Sequence, residues 1–122
     1  MKKLLALALL ACPLAATADN LDVFEFKLRE GCSWSKYMAV VKDFNEWGKA
    51  HGYRAEVLSP IQRMNLETMY WVGRSADAET YGKAWDTWRD AQSDPDSVPA
   101  KLAARFNECT INLNRVGYDT YK

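Results

Sequence analysis

The sequence predicts an α+β fold of element order strand, helix, strand, strand, helix, strand, and three observations carry that reading. The hydrophobic pattern alternates between the two-residue repeat of a half-buried strand and the repeat of about 3.6 residues of an amphipathic helix. Residues 69–92 run as a strand straight into such a helix and hold three of the five tryptophans. Cys32 follows the first strand and Cys109 precedes the last.

Residues 1–18 are set aside as a signal peptide. Lys2 and Lys3 give a positive start, residues 4–14 are almost purely apolar, and Ala16-Thr17-Ala18 offers a small-residue cleavage site after Ala18. The apolar run is shorter than the roughly 20 residues that cross a bilayer, so no integral membrane segment is expected after cleavage. Leu9-Leu10-Ala11-Cys12 also resembles a lipobox, which makes lipidation at Cys12 the alternative anchor. Either route sends residues 19–122, read as one domain, to the periplasm or the medium. Without Lys2 and Lys3, the balance of 16 basic and 16 acidic residues becomes a formal charge of −2. No basic cluster is present, which argues against a nucleic-acid partner.

The first strand spans residues 23–29, with Phe24, Phe26 and Leu28 alternating against Glu25, Lys27 and Arg29. Ser33 is placed to cap a helix that runs to about Ala50 and stops at Gly52. Trp34, Tyr37, Met38, Val41, Phe44 and Gly48 share its apolar stripe, bordered by Val40, Trp47 and His51. Residues 53–58 alternate again as a second strand that Pro60 stops or confines to an edge. Residues 69–74 form the third, with Met69 and Trp71 on one face and Tyr70, Val72 and Arg74 on the other. The second helix starts near Asp77 and buries Tyr81, Ala84, Trp85 and Trp88. It breaks near Pro95, and Ser97 can cap a further segment with Leu102, Phe106 and Cys109 inward. Residues 110–118 form the last strand, in which Ile111 and Leu113 alternate against Asn112 and Asn114.

This order is the ferredoxin-like βαββαβ arrangement, a four-stranded antiparallel sheet with both helices on one face. First and last strands are then antiparallel neighbours, which places Cys32 beside Cys109, and an oxidising compartment favours their disulfide. The sheet's other face would carry Glu25, Lys27, Arg29, Arg54, Glu56, Tyr70, Val72, Arg74, Asn112 and Asn114. That face is too polar for a dry core, yet Tyr70 suggests that a second sheet covers it.

From Val23 to Tyr118 the chain resembles the dimeric α/β-barrel superfamily, through element order and the strand Tyr70-Trp71-Val72-Gly73-Arg74 leading into Tyr81-Gly82-Lys83-Ala84-Trp85-Asp86-Thr87-Trp88. That superfamily includes antibiotic-biosynthesis monooxygenases, NIPSNAP-like proteins and haem-degrading enzymes. The resemblance implies a homodimer packed sheet to sheet, and a cavity between sheet and helices for a small hydrophobic or aromatic ligand. It offers Trp71, Tyr70 and His51 as candidates for the work done there. Haem-degrading members keep their ligand histidine on the later helix, whereas the sole histidine here ends the first, so no haem or other cofactor is expected.

Single residues carry two readings each. His51 is a helix C-terminal residue favourable against the dipole, or an acid/base at a cavity rim beside Trp47, four residues earlier on the same face. Trp71 is core or stacks on a ligand. Arg74 is a surface ion pair with Glu56 or Glu25, or binds an anion. No zinc set, phosphate-cradling loop, serine elbow or calcium loop is present in the sequence. The expected function is an exported module that binds a small ligand or serves as an accessory. The alternatives are a cofactor-independent monooxygenase-like enzyme on a small hydrophobic or aromatic substrate, and an envelope interaction protein that pairs through the edge strand 53–58.

Overall fold

A computed structural model of the protein describes residues 19–62, 64 and 66–121. The signal peptide, its cleavage site and Cys12 lie outside the described residues. In chain order the elements are β1 (Asn20–Leu28), α1 (Trp34–Lys49), β2 (Arg54–Leu58), β3 (Met69–Ser75), α2 (Ala78–Ala91), α3 (Val98–Cys109) and β4 (Thr110–Asp119). The strands form one antiparallel sheet in the order β2-β3-β1-β4. This is the ferredoxin-like topology, with the second helical region divided into α2 and α3 around Pro95.

Local chemistry explains the helix ends. The Ser33 hydroxyl accepts the Lys36 amide at the start of α1, the Asp77 carboxylate accepts the Thr80 amide at the start of α2, and the Ser97 hydroxyl accepts the Ala100 amide at the start of α3. Pro99 occupies the first turn of α3, where its missing N–H costs nothing. The chain leaves α1 through Gly52 at φ 69°.

The core lies between the helices and one face of the sheet. Phe26, Ala55, Met69 and Trp71 from the strands meet Tyr37, Val40, Val41 and Phe44 of α1, Leu102 of α3 and Ala84 of α2. Cys32 and Cys109 are disulfide bonded, and the Arg29 amide donates to the Cys109 carbonyl at 2.8 Å beside the Leu28–Thr110 pairing. The bridge spans a sequence separation of 77 residues, a loop whose closure stabilises the folded chain by about 4–5 kcal/mol in the chain-entropy model.

Four packing expectations need correction. Asn112 pairs with Phe26 and faces the helices, because a bulge opposite Glu25 and Phe26 puts Leu113 out of register and turns Ile111 to the other face. Leu113 is consequently exposed. Trp85 is not core: it is 38% exposed and lies over Arg115. Trp34 is likewise exposed, at 43%. The sheet face away from the helices is also more apolar than expected. The register adds Leu21, Val23, Ile111, Val116 and Tyr118 to Glu25, Lys27, Tyr70, Val72 and Arg74.

The edge of β2 is partly occupied by its own helix. The Asn45 side chain of α1 donates to the Ala55 carbonyl at 3.0 Å and accepts the Ala55 amide at 2.8 Å. A pairing strand would have to displace both bonds, which weakens the case for this edge as a docking site. Among the described residues, no helix is long and apolar enough to cross a membrane.

Candidate functional site

Between the helix-facing side of the sheet and the three helices lies a cavity of about 390 Å³. Its walls are aromatic. Phe44 stands edge-on to Trp71 with ring centroids 4.9 Å apart and to Trp88 at 5.3 Å, and Phe106 meets Trp71 at 5.5 Å and 88°. Such T-shaped contacts set the edge of one ring against the face of another and fix each ring by its neighbours. Five exposed residues also line the cavity and mark its mouth: Trp85 of α2 and Gln92 just past its end, Asn107 of α3, and Asn112 and Arg115 of β4. The mouth therefore opens between α2 on one side and α3 with β4 on the other.

At one end of the cavity a polar cluster is built on Asp22, which is buried on the inward face of β1. Arg115 Nε donates to Asp22 Oδ1 at 2.9 Å and Nη2 to Oδ2 at 3.0 Å, a two-point fork. The Tyr53 hydroxyl donates to Oδ2 at 3.2 Å and accepts the Trp71 indole N–H at 2.9 Å. Arg115 also donates to the Tyr81 hydroxyl at 2.6 Å. Phe24 and Trp85 cover the guanidinium, with ring centroids 4.5 and 4.4 Å from its central carbon. Burial, and after it the charge of Asp22, pushes the Tyr53 phenol far above its ordinary range. Tyr81 moves the same way for the same two reasons, with Arg115 countering.

Gly73 makes this cluster possible. It faces Asp22 across the β1–β3 pairing, and a side chain at this position would collide with the Tyr53 ring. The missing Cβ lets the phenol lie across β3 and reach both Asp22 and Trp71.

The residues singled out from the sequence divide cleanly in space. Trp71 and Trp47 both line the cavity. Tyr70 and Arg74 point from the opposite face of the sheet, where Tyr70 lies across from Glu25 and Arg74 Nε is 3.8 Å from Glu56 Oε2. His51 does not line the cavity; it stacks on the Trp47 indole at 4.1 Å and 18°. Its Nδ1 lies 2.8 Å from the Trp47 carbonyl, which can only accept, so Nδ1 carries a proton and binds the end of α1.

Sequence reading missed Asp22, Tyr53, Tyr81 and Arg115 as a group. Asp22 carried a signal, since it continues the inward alternation of Phe24, Phe26 and Leu28, and a carboxylate on an apolar face needs a partner. The partner was hidden by the bulge at Leu113, which sets the phase that points Arg115 inward.

No protein-family model and no curated protein matches the chain. Solved structures do share its shape. SnoaB from Streptomyces nogalater, described as a cofactor-independent oxygenase, superposes with a TM-score of 0.61 over 86% of this chain and 95% of its own, at 9% identity. A hydroxynitrile lyase from Passiflora edulis gives 0.55 over 88% of this chain and 96% of its own at 11% identity. A dimeric ferredoxin-like protein of unknown function from Thermobifida fusca YX gives 0.50 over 86% and 92% at 11% identity. Identities this low speak for architecture alone: the chain carries the ferredoxin-like fold.

Proposed function

We propose that this protein is an exported binding module that holds a small, largely apolar ligand in the cavity between sheet and helices. The observation that carries this reading is the cavity itself. Its volume of about 390 Å³ falls within the range of small-molecule pockets, and it combines aromatic walls with a small convergent polar group and a mouth to solvent. The polar group favours binding over catalysis. Both Asp22 oxygens are taken by the Arg115 fork and Tyr53, and the one histidine lies behind Trp47. A proton-transfer role would require groups with free lone pairs facing the substrate.

Two further parts of the reading concern the molecule's setting. The Cys32–Cys109 disulfide and the residue 1–18 leader both fit an oxidising compartment, the periplasm or the medium. A second copy packed on the open sheet face would cover Val23, Val116 and Tyr118, and the Thermobifida fusca neighbour is described as dimeric. The oxygenase and lyase named above share the architecture at low identity, so an enzymatic role stays the second reading.

The test uses N-phenyl-1-naphthylamine, an uncharged probe whose emission rises in apolar surroundings. Wild-type protein is expected to bind it saturably. Ala103→Trp, which fills the cavity from α3 at a lining position, is expected to abolish binding while leaving the circular dichroism spectrum unchanged. Undiminished binding by a folded Ala103→Trp would overturn the proposal.

A further inference from the structure

The mouth of the cavity lies between α2 and β4, and one side chain spans it. Arg115 of β4 meets Tyr81 and Trp85, which stand four residues apart on the same face of α2, while its inner edge is fixed to Asp22 on the central strand β1. The guanidinium is therefore held on two edges and both faces, by groups from α2 outside and from β1 inside.

The helix on the far side of that contact is otherwise anchored mainly by Trp88, which meets Phe44 and Trp47, and by the Ser97 bond to its last carbonyl. Of fourteen residues in α2 only Ala84 is buried, against five of sixteen in α1 and three of twelve in α3. Gly82 sits in mid-helix with nothing near the place its Cβ would occupy, so it lowers helix propensity without easing any close contact. Both helix ends adjoin non-helical chain, the bend at residues 76–77 and the break around Pro95. By contrast α1 is fastened to β2 through Asn45, and α3 to the loop between β1 and α1 through the disulfide.

We infer that Arg115 is a latch, and that α2 is the movable wall of the cavity, released when the guanidinium lets go of Tyr81 and Trp85 and retaining the ligand when the contact reforms. The inference deepens the binding function proposed above and rests on it for the ligand, whereas the motion of α2 is a property of the free protein. It assigns Trp85 a reason for being exposed: the indole is the outer plate of the latch. It also explains why the pair Asp22–Arg115 sits at the cavity edge. Asp22 keeps the guanidinium in place when α2 leaves, so the latch can close again in the same geometry.

Hydrogen exchange by mass spectrometry on the ligand-free protein tests the motion. Two variants keep the buried pair intact, Trp85→Leu and Tyr81→Phe, and a third, Asp22→Asn with Arg115→Gln, removes both charges together so that no buried carboxylate is left alone. In each, amide exchange in α2 is expected to rise about tenfold relative to wild type, with α1 and β1 unchanged, the signature of local opening. Unchanged exchange in α2, or an equal rise in α1 and β1, overturns the latch. Stopped-flow mixing with N-phenyl-1-naphthylamine then reads the consequence: faster association and faster dissociation in Trp85→Leu support it, and unchanged rates count against it. If wild type binds no probe at all, the binding function fails while the exchange result still decides whether α2 is latched.

Discussion

At the scale of single residues, the organising feature is a carboxylate where an apolar side chain would be expected. Asp22 is 4% exposed and its fork partner Arg115 reaches solvent, so the two charges are unequally buried. Removing Arg115 strands a buried anion; removing Asp22 leaves a cation that can rehydrate. Arg115→Met is therefore expected to cost about 3–5 kcal/mol, the usual penalty for breaking a buried pair, and Asp22→Asn clearly less. Urea denaturation of the two variants checks the ranking, and an Asp22→Asn that proves the more damaging would contradict it. The tyrosines add a pH dependence. Burial raises the phenols of Tyr37 and Tyr53 above their ordinary range. Above pH of about 10 the unfolded chain gives up these protons while the folded chain keeps them. The unfolded state then binds fewer protons, so stability is intact below that pH and falls as pH rises beyond it. Urea midpoints measured at stepwise higher alkaline pH should decline, and Tyr53→Phe should flatten the decline.

At the scale of elements, periodicity made the strands and helices legible, and side-chain caps sharpened their ends. Ser33, Asp77 and Ser97 each cap the helix that follows, as side-chain chemistry at those positions predicts. β4 was read least well. Its sequence Thr110-Ile111-Asn112-Leu113-Asn114 suggests simple alternation, yet the bulge interrupts it, and bulges depend on the partner strand, which a local pattern does not contain. Trp85 was misread for a related reason: helical periodicity says which side a residue takes, not whether the neighbour there is a core or an arginine. Ser97 offers an element-scale prediction. Its hydroxyl accepts the Ala100 amide and donates to the Ala91 carbonyl at 2.6 Å, joining the end of α2 to the start of α3. Ser97→Ala is expected to lower stability by about 1 kcal/mol, read by thermal or urea unfolding, with added exchange confined to the α2–α3 junction. Loss of amide protection throughout α1 as well would show that the junction holds more than these two bonds.

At the scale of the whole molecule, element order pointed to the topology and the cysteine positions agreed with it, because antiparallel neighbours β1 and β4 bring Cys32 and Cys109 together. The site was harder to read. Trp71 and Trp47 reach the cavity, but Tyr70 and Arg74 project from the other side of the sheet. The polar cluster draws on β1, the residue before β2, α2 and β4, separated by up to 93 residues, so no local motif could announce it. The fold thus separates two surfaces: an aromatic cavity under the helices and a mixed face across the sheet. The central claim is that the ligand goes to the first. The most direct measurement is a set of intermolecular nuclear Overhauser effects between bound N-phenyl-1-naphthylamine and assigned side chains of the oxidised protein. Contacts to Phe44, Trp88 and Phe106 are expected; contacts to Val116 and Tyr118 instead, with none inside the cavity, would place the ligand on the open sheet face and overturn the cavity as its site.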